Sequence, residues 1–500
     1  MQMVEVHDSD VQCAASVLMF LCVHACWSKA PCSHVVEFAR AQVHQSGGNA
    51  SEPMREFARV PLQDAEKGCY RLFVKYGYTV PVPVDEIALG EGRLARFPYL
   101  KFSKYAQWLL DTNRLWRLFA GCSTFEKMRE VLTEFWARFQ KVSPDHEVFK
   151  EVSDLSVAIP FFSHQDEGRG YKHQAILILS SHGCIGRGTS WWIRQGGPEL
   201  PVDQNGFGLN FTGNTWSSQA LFMTMLRSVS DQNPEAFETM MRLYAQDVMQ
   251  LAKDGLTSID GSKKIYMIHL GCKADLPALS KVGSFKRSFA HVPRQPSGRR
   301  ACGGICPWCL AGQESDGLDQ QGYPFEDFSL VPTWLETKEM EVPWSQLPAI
   351  MEGAWLDPKK PASFFHADIW HNLHLGVGKL WIANSFVTLV EKLQTWEVTS
   401  VDSKFQVLTE AFNQFCKGRG LSPHMTEISR ATMGWPYGNV SPMGQWSKGS
   451  VTTDMMRFLE DFVLDHVTDC HEESIHLIAP WLLLVFLSDS SGPRRRAPKP

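Results

Sequence analysis

The sequence predicts a mixed α/β protein. Short apolar runs of strand length cluster in the centre of the chain, amphipathic helical periodicity flanks them, and 500 residues suffice for roughly two to four domains. Leu155–Phe162 (LSVAIPFF) fits a buried strand ending in Ser163-His164-Gln165-Asp166-Glu167-Gly168. Ala175–Leu179 (AILIL) is a second strand, and a Gly-rich turn from Gly183 to Thr189 leads into a third at Trp191-Trp192-Ile193. Strands separated by polar turns in this way form a β-meander. Lys264–Leu270 (KIYMIHL) is a further strand that runs into Gly271-Cys272-Lys273-Ala274-Asp275.

Helices are expected on either side. Residues 1–150 form a mainly helical region, in which the stretch from Tyr105 to Phe139 spaces apolar residues three and four apart. Gly121 and Ser123 divide it into two helices. Residues 215–256 return to helical periodicity across ALFMTMLRSV and AFETMMRLYAQDVMQLAKDG, closing on Gly255 as a C-cap. A loop-rich, proline-containing stretch covers 286–345, a helix is expected from Asp368 through Glu391, and an amphipathic helix from Met455 to Val467. Residues 397–450 are mixed, and the tail 491–500 is basic and Pro-rich with no core-forming side chains. The resulting division is 1–150, 151–300, 301–367, 368–490 and 491–500.

Composition narrows the class. Apolar residues make up 44% and charged residues 21%, which excludes extended disorder and coiled coil. Basic residues number 49 against 54 acidic, a net charge of −5, so any DNA contact must come from local patches and not from a basic coat. Thirteen cysteines cannot all pair within the chain, and most are scattered, which reads as reduced intracellular thiols plus one metal-type cluster. The apolar stretches Val11–Cys26 and Ala479–Leu487 lack the flanks of a signal peptide and the length of a membrane span, and read as buried helices.

Four groups of residues carry chemistry. Asp166 and Asp275 sit just past strands, where a rigid element can aim a carboxylate at a divalent ion. Hard oxygen ligands suit Mg²⁺ or Mn²⁺, although strand-end aspartates are also ordinary turn and cap residues. Cys302-Gly-Gly-Ile-Cys306-Pro-Trp-Cys309 contains a C-x2-C knuckle with the bite of tetrahedral zinc, with Cys302, His291, His371 and His374 as candidates for the remaining ligands. Plain reduced cysteines in a loop are the alternative. Asp368, His371 and His374 fall on one helical face at offsets of three and six, so the two histidines could chelate one metal. Lys281, Lys286, Arg287, Arg294, Arg299 and Arg300 precede the knuckle, several close to it, and could meet phosphates, or be solvated loop charge. Arg494-Arg495-Arg496 also reads as a nuclear-localisation patch.

Taken in order, Asp166, Asp275, the C-x2-C of Cys306 and Cys309, and the D-x2-H of Asp368 and His371 resemble a known pattern. It is that of transposon-derived proteins of the Kyakuja–Dileera–Zisupton and Plavaka type. The matching stretches are FFSHQDEGRG (161–170), GLNFTGNTWSSQALFMTMLR (208–227), KADLPALSKVGSFKRSFAHVPR (273–294), CGGICPWCLAG (302–312), YPFED (323–327) and DIWHNLHLGVGKLW (368–381). The resemblance implies an RNase H-like mixed sheet with a helical insertion, flanked by mainly helical N- and C-terminal regions. It implies Asp166 and Asp275 as catalytic ligands of Mg²⁺ or Mn²⁺, and a zinc-stabilised insertion built with the cysteine pair and the D-x2-H pair. DNA is the implied partner, the nucleus the implied compartment, and two-metal phosphodiester hydrolysis or strand transfer the implied reaction.

One departure stands out. The third acidic ligand of that pattern follows the D-x2-H motif on a helix, yet Glu391, Glu410, Glu427 and Glu460 all lack the expected context. The chain also closes in its Pro/Arg tail where more helical domain is expected, as in a truncated or decayed copy. An inactive zinc-containing module that binds DNA or protein is therefore the alternative. A zinc hydrolase using His371, His374 and a carboxylate is a third reading.

Overall fold

A computed structural model describes residues 31–466 except 47–48, 78, 170–173, 186–187, 190–209, 212–218, 289–303, 314–321, 339–340, 394–395 and 438–439. The chain divides into two compact units, the first ending at Cys272 and taking back Glu339–Phe364, the second formed by Lys273–Lys338 and the chain from Phe365 onward. It is a mixed α/β protein.

The first unit opens with helices α1 (Cys32–Gln45), α2 (Glu52–Arg59) and α3 (Ala65–Lys75), whose inner faces bury Val35, Val36, Met54, Phe57, Cys69 and Phe73 as one cluster. Three more helices follow: α4 (Phe102–Asp111), α5 (Leu115–Ala120) and α6 (Phe125–Val142). Two helices were expected between Tyr105 and Phe139, and the structure has a further break. Asn113 takes a left-handed φ of 57°, ending α4 before Gly121 at φ 66° ends α5. Asparagine is among the few side-chain-bearing residues that adopt this conformation readily, so it can stop a helix without a glycine.

The sheet follows. Strand β1 (Ala158–Arg169) pairs antiparallel with β2 (Ala175–Gly183), which pairs antiparallel with β3 (Gln219–Leu226). Helix α7 (Pro234–Lys253) then leads to β4 (Lys264–Ala274), which returns beside β1 and not beside β3. Ser163 of β1 meets His269 and Gly271 of β4, while Gln165 meets Cys272. These contacts advance together, so β1 and β4 run in the same direction and the sheet is mixed.

Two expectations are corrected. Gln219–Leu226 is a strand and not the start of a helix: burial alternates along much of it, with Ala220 and Phe222 inside and Leu221 outside. Its run of Leu, Phe, Met and Thr fits either period, and pairing with β2 decides between them. Strand β1 continues past Phe162 to Arg169, so Asp166 lies inside it opposite Ile178 of β2 and not beyond its end. The expected strand at Trp191–Ile193 and the apolar segments Val11–Cys26 and Ala479–Leu487 lie outside the described residues.

Helix α7 covers the sheet because Phe237, Met240, Met241, Tyr244, Val248 and Leu251 form one buried stripe. Each such side chain contributes about 1.5–3 kcal/mol on full burial. As expected, the helix closes at Gly255, whose φ of 70° lets the chain turn back tightly against Ile265 of β4. At Gly183 in β2, any Cβ would overlap the backbone of Phe119, so only glycine lets this strand approach α5.

The second unit holds α8 (Leu276–Val282), the short strand β5 (Phe365–Ala367), and helices α9 (Gly378–Lys392), α10 (Val401–Gly418) and α11 (Gly449–Asp465). Ile382, Phe386, Phe405, Phe412, Met455, Phe458 and Leu459 form its core. The stretch His371–Lys392 is long and apolar enough to cross a membrane. Its buried Ile382, Phe386, Leu389 and Val390 make it a core helix, and no other helix among the described residues is long and apolar enough to cross a membrane.

Burial holds His146 and His269 of the first unit neutral, with pKa values near 4 and 3. Both lie below the ordinary value of 6.5, so the unfolded chain takes up protons first as the pH falls. Their contribution is intact above pH 6.5 and is lost below it at roughly 1.4 kcal/mol per pH unit for each histidine. Urea midpoints measured between pH 7.5 and 5 should therefore fall steadily below 6.5; a flat profile would show that these side chains are protonated in the fold.

Candidate carboxylate and cysteine sites

Asp166 sits on β1 with its side chain half-buried, and its Oδ1 accepts from the Glu167 N–H at 2.7 Å. Oδ2 takes no hydrogen bond among the described residues. Glu167 beside it pairs with Arg227 at 3.1 Å. Two residues before Asp166, His164 packs edge-on against His182 of β2 with ring centroids 6.2 Å apart. The sequence did not single out this pair.

Asp275, in the second unit, follows β4 directly, as expected. It caps α8, its Oδ1 accepting from the Ala278 N–H at 2.8 Å, with Pro277 in the first turn. Each aspartate thus commits one oxygen to its own backbone and has a second in reserve. Such a donor suits a hard divalent cation.

Asp368 was expected on a helical face with His371 and His374. It instead leaves β5 ahead of the helix, and its own N–H donates to the Ala274 carbonyl at 2.7 Å, so two aspartates follow two neighbouring strand ends. The Asp368 side chain accepts from the Trp370 N–H at 2.8 Å and from His371 Nδ1 at 2.7 Å. His371 and His374 then fall in a π-helical turn, His371–Val377, that contains a non-helical Gly376. His374 has other neighbours: its ring lies 3.9 Å from that of Trp370, Nδ1 is 3.3 Å from Thr453 Oγ1 of α11, and burial lowers its pKa. The π turn breaks the simple offset of three, so the two histidines face different partners.

Cys306 and Cys309 do come together. The Cys309 thiol hydrogen-bonds to Cys306, which also receives the Trp308 N–H at 3.4 Å, and these donors hold Cys306 down to about 6 while Cys309 is pushed up. Arg287 adds a cation, its Nε–H donating to the Cys306 carbonyl at 3.4 Å. Two sulfurs with one thiolate between them are half of a zinc donor set. Of the other expected donors, Cys302 and His291 lie outside the described residues. Among the described residues, no group of three or more His, Cys, Asp or Glu gathers as a metal site. Beside the sulfurs lies a cavity of about 400 Å³ walled by aromatic side chains.

A second chain of polar groups, unmarked by any motif, lies buried in the first unit. Ser163 Oγ donates to the Gly271 carbonyl at 3.3 Å, so His269 Nε2, at 3.0 Å, must donate to Ser163. Tyr244 hydrogen-bonds to Ser181 at 2.6 Å and to Ser163. The alternation in KIYMIHL could have placed His269 inside, but its partners come from β1 and α7.

Comparison with known proteins returns no matching family model, no matching curated protein and no matching solved structure. The site rests on its own geometry.

The capping role of Asp275 is separable from any metal role. Asp275→Ala should lower stability by about 1 kcal/mol and Asp275→Asn by much less, because asparagine also caps. Thermal melts of the two variants test this, and equal losses would deny the cap.

Proposed function

We propose that the chain is a transposase-like DNA-processing protein with an RNase H-like core, in which Asp166 and Asp275 hold Mg²⁺ or Mn²⁺. The observation that carries this reading is the strand order. An antiparallel meander β1-β2-β3 is followed by a helix, and β4 returns beside β1 in the same direction. The resemblance implies a meander, a helix and further strands, with the first carboxylate leaving the first strand and the second leaving the fourth; here Asp166 lies within β1 and Asp275 directly follows β4. When bound, the divalent ions supply charge that stabilises the attacking and leaving oxygens of a phosphodiester displacement. The protein's part would be to hold them: a backbone N–H fixes one oxygen of each aspartate and leaves the other for a cation. Lys281 and Lys286, in the segment after Asp275, are cations that would meet DNA phosphates.

A second reading has its own support. Among the described residues, no group of three or more His, Cys, Asp or Glu gathers at either aspartate. An inactive, transposon-derived module that binds DNA or protein, stabilised by zinc at Cys306 and Cys309, accounts for that. The fit to zinc is incomplete, since two of four donors are in view. A zinc hydrolase is the weakest of the three, because His371 and His374 turn to different partners.

Purified full chain should nick supercoiled DNA in Mn²⁺, and Asp166→Ala and Asp275→Asn should each abolish nicking while salt-dependent DNA binding persists. Binding without nicking in the wild type selects the inactive module. Nicking that survives in both variants refutes the assignment of these aspartates.

Zinc is tested separately. Elemental analysis should find one zinc per chain, lost in Cys306→Ser and Cys309→Ser; a chain without zinc would make the knuckle an ordinary thiol pair.

A further inference from the structure

We infer that the aromatic-lined cavity of the second unit holds an unpaired nucleobase of the DNA; this deepens the DNA-processing reading and rests on it. The cavity measures about 400 Å³ and is walled by Leu276, Phe285, Trp308, Phe325, Phe328 and Trp334. That volume is within the range of small-molecule sites, and the lining is almost wholly apolar.

The walls are fixed. Trp308 Nε1–H donates to the Phe365 carbonyl at 3.0 Å, and Trp334 Nε1–H to the Asp327 carbonyl at 3.1 Å. Each indole spends its one polar group on the protein, so what remains for a ligand is ring surface. Phe285 packs edge-on against Phe365 at 4.9 Å, bracing the same wall from β5. Phe328 is 87% exposed, an aromatic side chain left in water beside the cavity. The polar members of the lining are Ser288 and the knuckle sulfurs of Cys306 and Cys309, too few to read the whole hydrogen-bonding edge of a base. The lining suits a flat π face, and stacking on aromatic side chains is how proteins hold bases without regard to sequence.

Placement favours a nucleic acid over a free small molecule. The wall begins at Leu276, the residue after Asp275, and Trp308 is tied to β5, whose end carries Asp368. A base in this cavity therefore keeps its backbone close to the carboxylate-bearing strand ends. Exposed Lys286 and half-buried Lys281 lie on the segment that supplies Phe285, where they offer counter-charge to phosphates. A stacked, paired base cannot enter such a space, so the occupant is an unpaired or extruded one.

The test uses the full chain with two fluorescein-labelled duplexes, one fully paired and one carrying a single bulged 2-aminopurine. The wild type should prefer the bulged duplex and quench the 2-aminopurine on binding. Trp308→Ala and Trp334→Ala should each cut that preference by about 10-fold, leave affinity for the paired duplex within about two-fold, and keep the wild-type circular dichroism. Trp308→Phe should restore the preference, because it retains a ring face. Equal affinity for both duplexes in the wild type, or equal losses on both in the alanine variants, overturns the cavity assignment and leaves DNA processing standing. Failure to bind either duplex overturns both. Binding of 1-anilinonaphthalene-8-sulfonate that is lost in Trp308→Ala, but is not competed by the bulged duplex, assigns the cavity to a small apolar ligand and also overturns it.

Discussion

Ser163 is the point on which the first unit turns. It sits on β1, fully buried, and bonds across to β4 at Gly271 and His269 while Tyr244 of α7 reaches it from the covering helix. One hydroxyl therefore links the first strand, the fourth strand and the helix between them. Burial around it is deep enough to hold His269 neutral and to push Cys272 up to about 12. The network is not perfectly satisfied: His269 Nδ1 and Gln165 Oε1 are buried with no partner among the described residues. Each such atom costs about 1–3 kcal/mol. The apolar stripe of α7 offsets that cost, and the β1–β4 alignment persists with it.

That alignment is also what gives the two aspartates meaning. Taken singly, Asp166 is a residue in a strand and Asp275 an N-cap. On a strand order in which β4 returns beside β1, they are the residues the resemblance would make metal ligands. The second unit adds a different kind of order: a thiol pair, the Asp368–His371 side-chain pair, and an aromatic cavity whose wall starts one residue after Asp275. These features lie within a stretch that has little regular secondary structure, and indole hydrogen bonds fix its shape where helices and strands do not.

Much of this was legible in the sequence, for identifiable reasons. AILIL and KIYMIHL are apolar runs of strand length that each lie within a strand, while LSVAIPFF begins in a 3-10 turn at Leu155–Val157 and enters its strand only at Ala158. Gly255 announced the end of α7. Asp275 was readable as a residue just past a strand, and a strand-end aspartate is an ordinary cap residue, the role it takes here. Other parts were hidden by ambiguity of period or by distance along the chain. QALFMTML satisfies a helix and a strand equally, and only β2 beside it decides. Polar SHQDEGR gave no sign that β1 would continue through it, because a backbone ladder needs no apolar side chains once its partner strand is in place. The offset of three between Asp368, His371 and His374 assumed a regular α-helix, which a π turn and Gly376 replace. The cavity draws on residues from Leu276 to Trp334, a separation at which no local pattern can signal a common wall.

Whether Asp166 and Asp275 serve the same metal ions decides the proposed function. Electron paramagnetic resonance of Mn²⁺ titrated into the full chain measures this directly, without requiring a DNA target or turnover. The proposed reading predicts tightly bound Mn²⁺ in the wild type that is lost both in Asp166→Ala, on β1, and in Asp275→Asn, which keeps its helix cap. Undiminished binding in both variants, with each one folded, would contradict it.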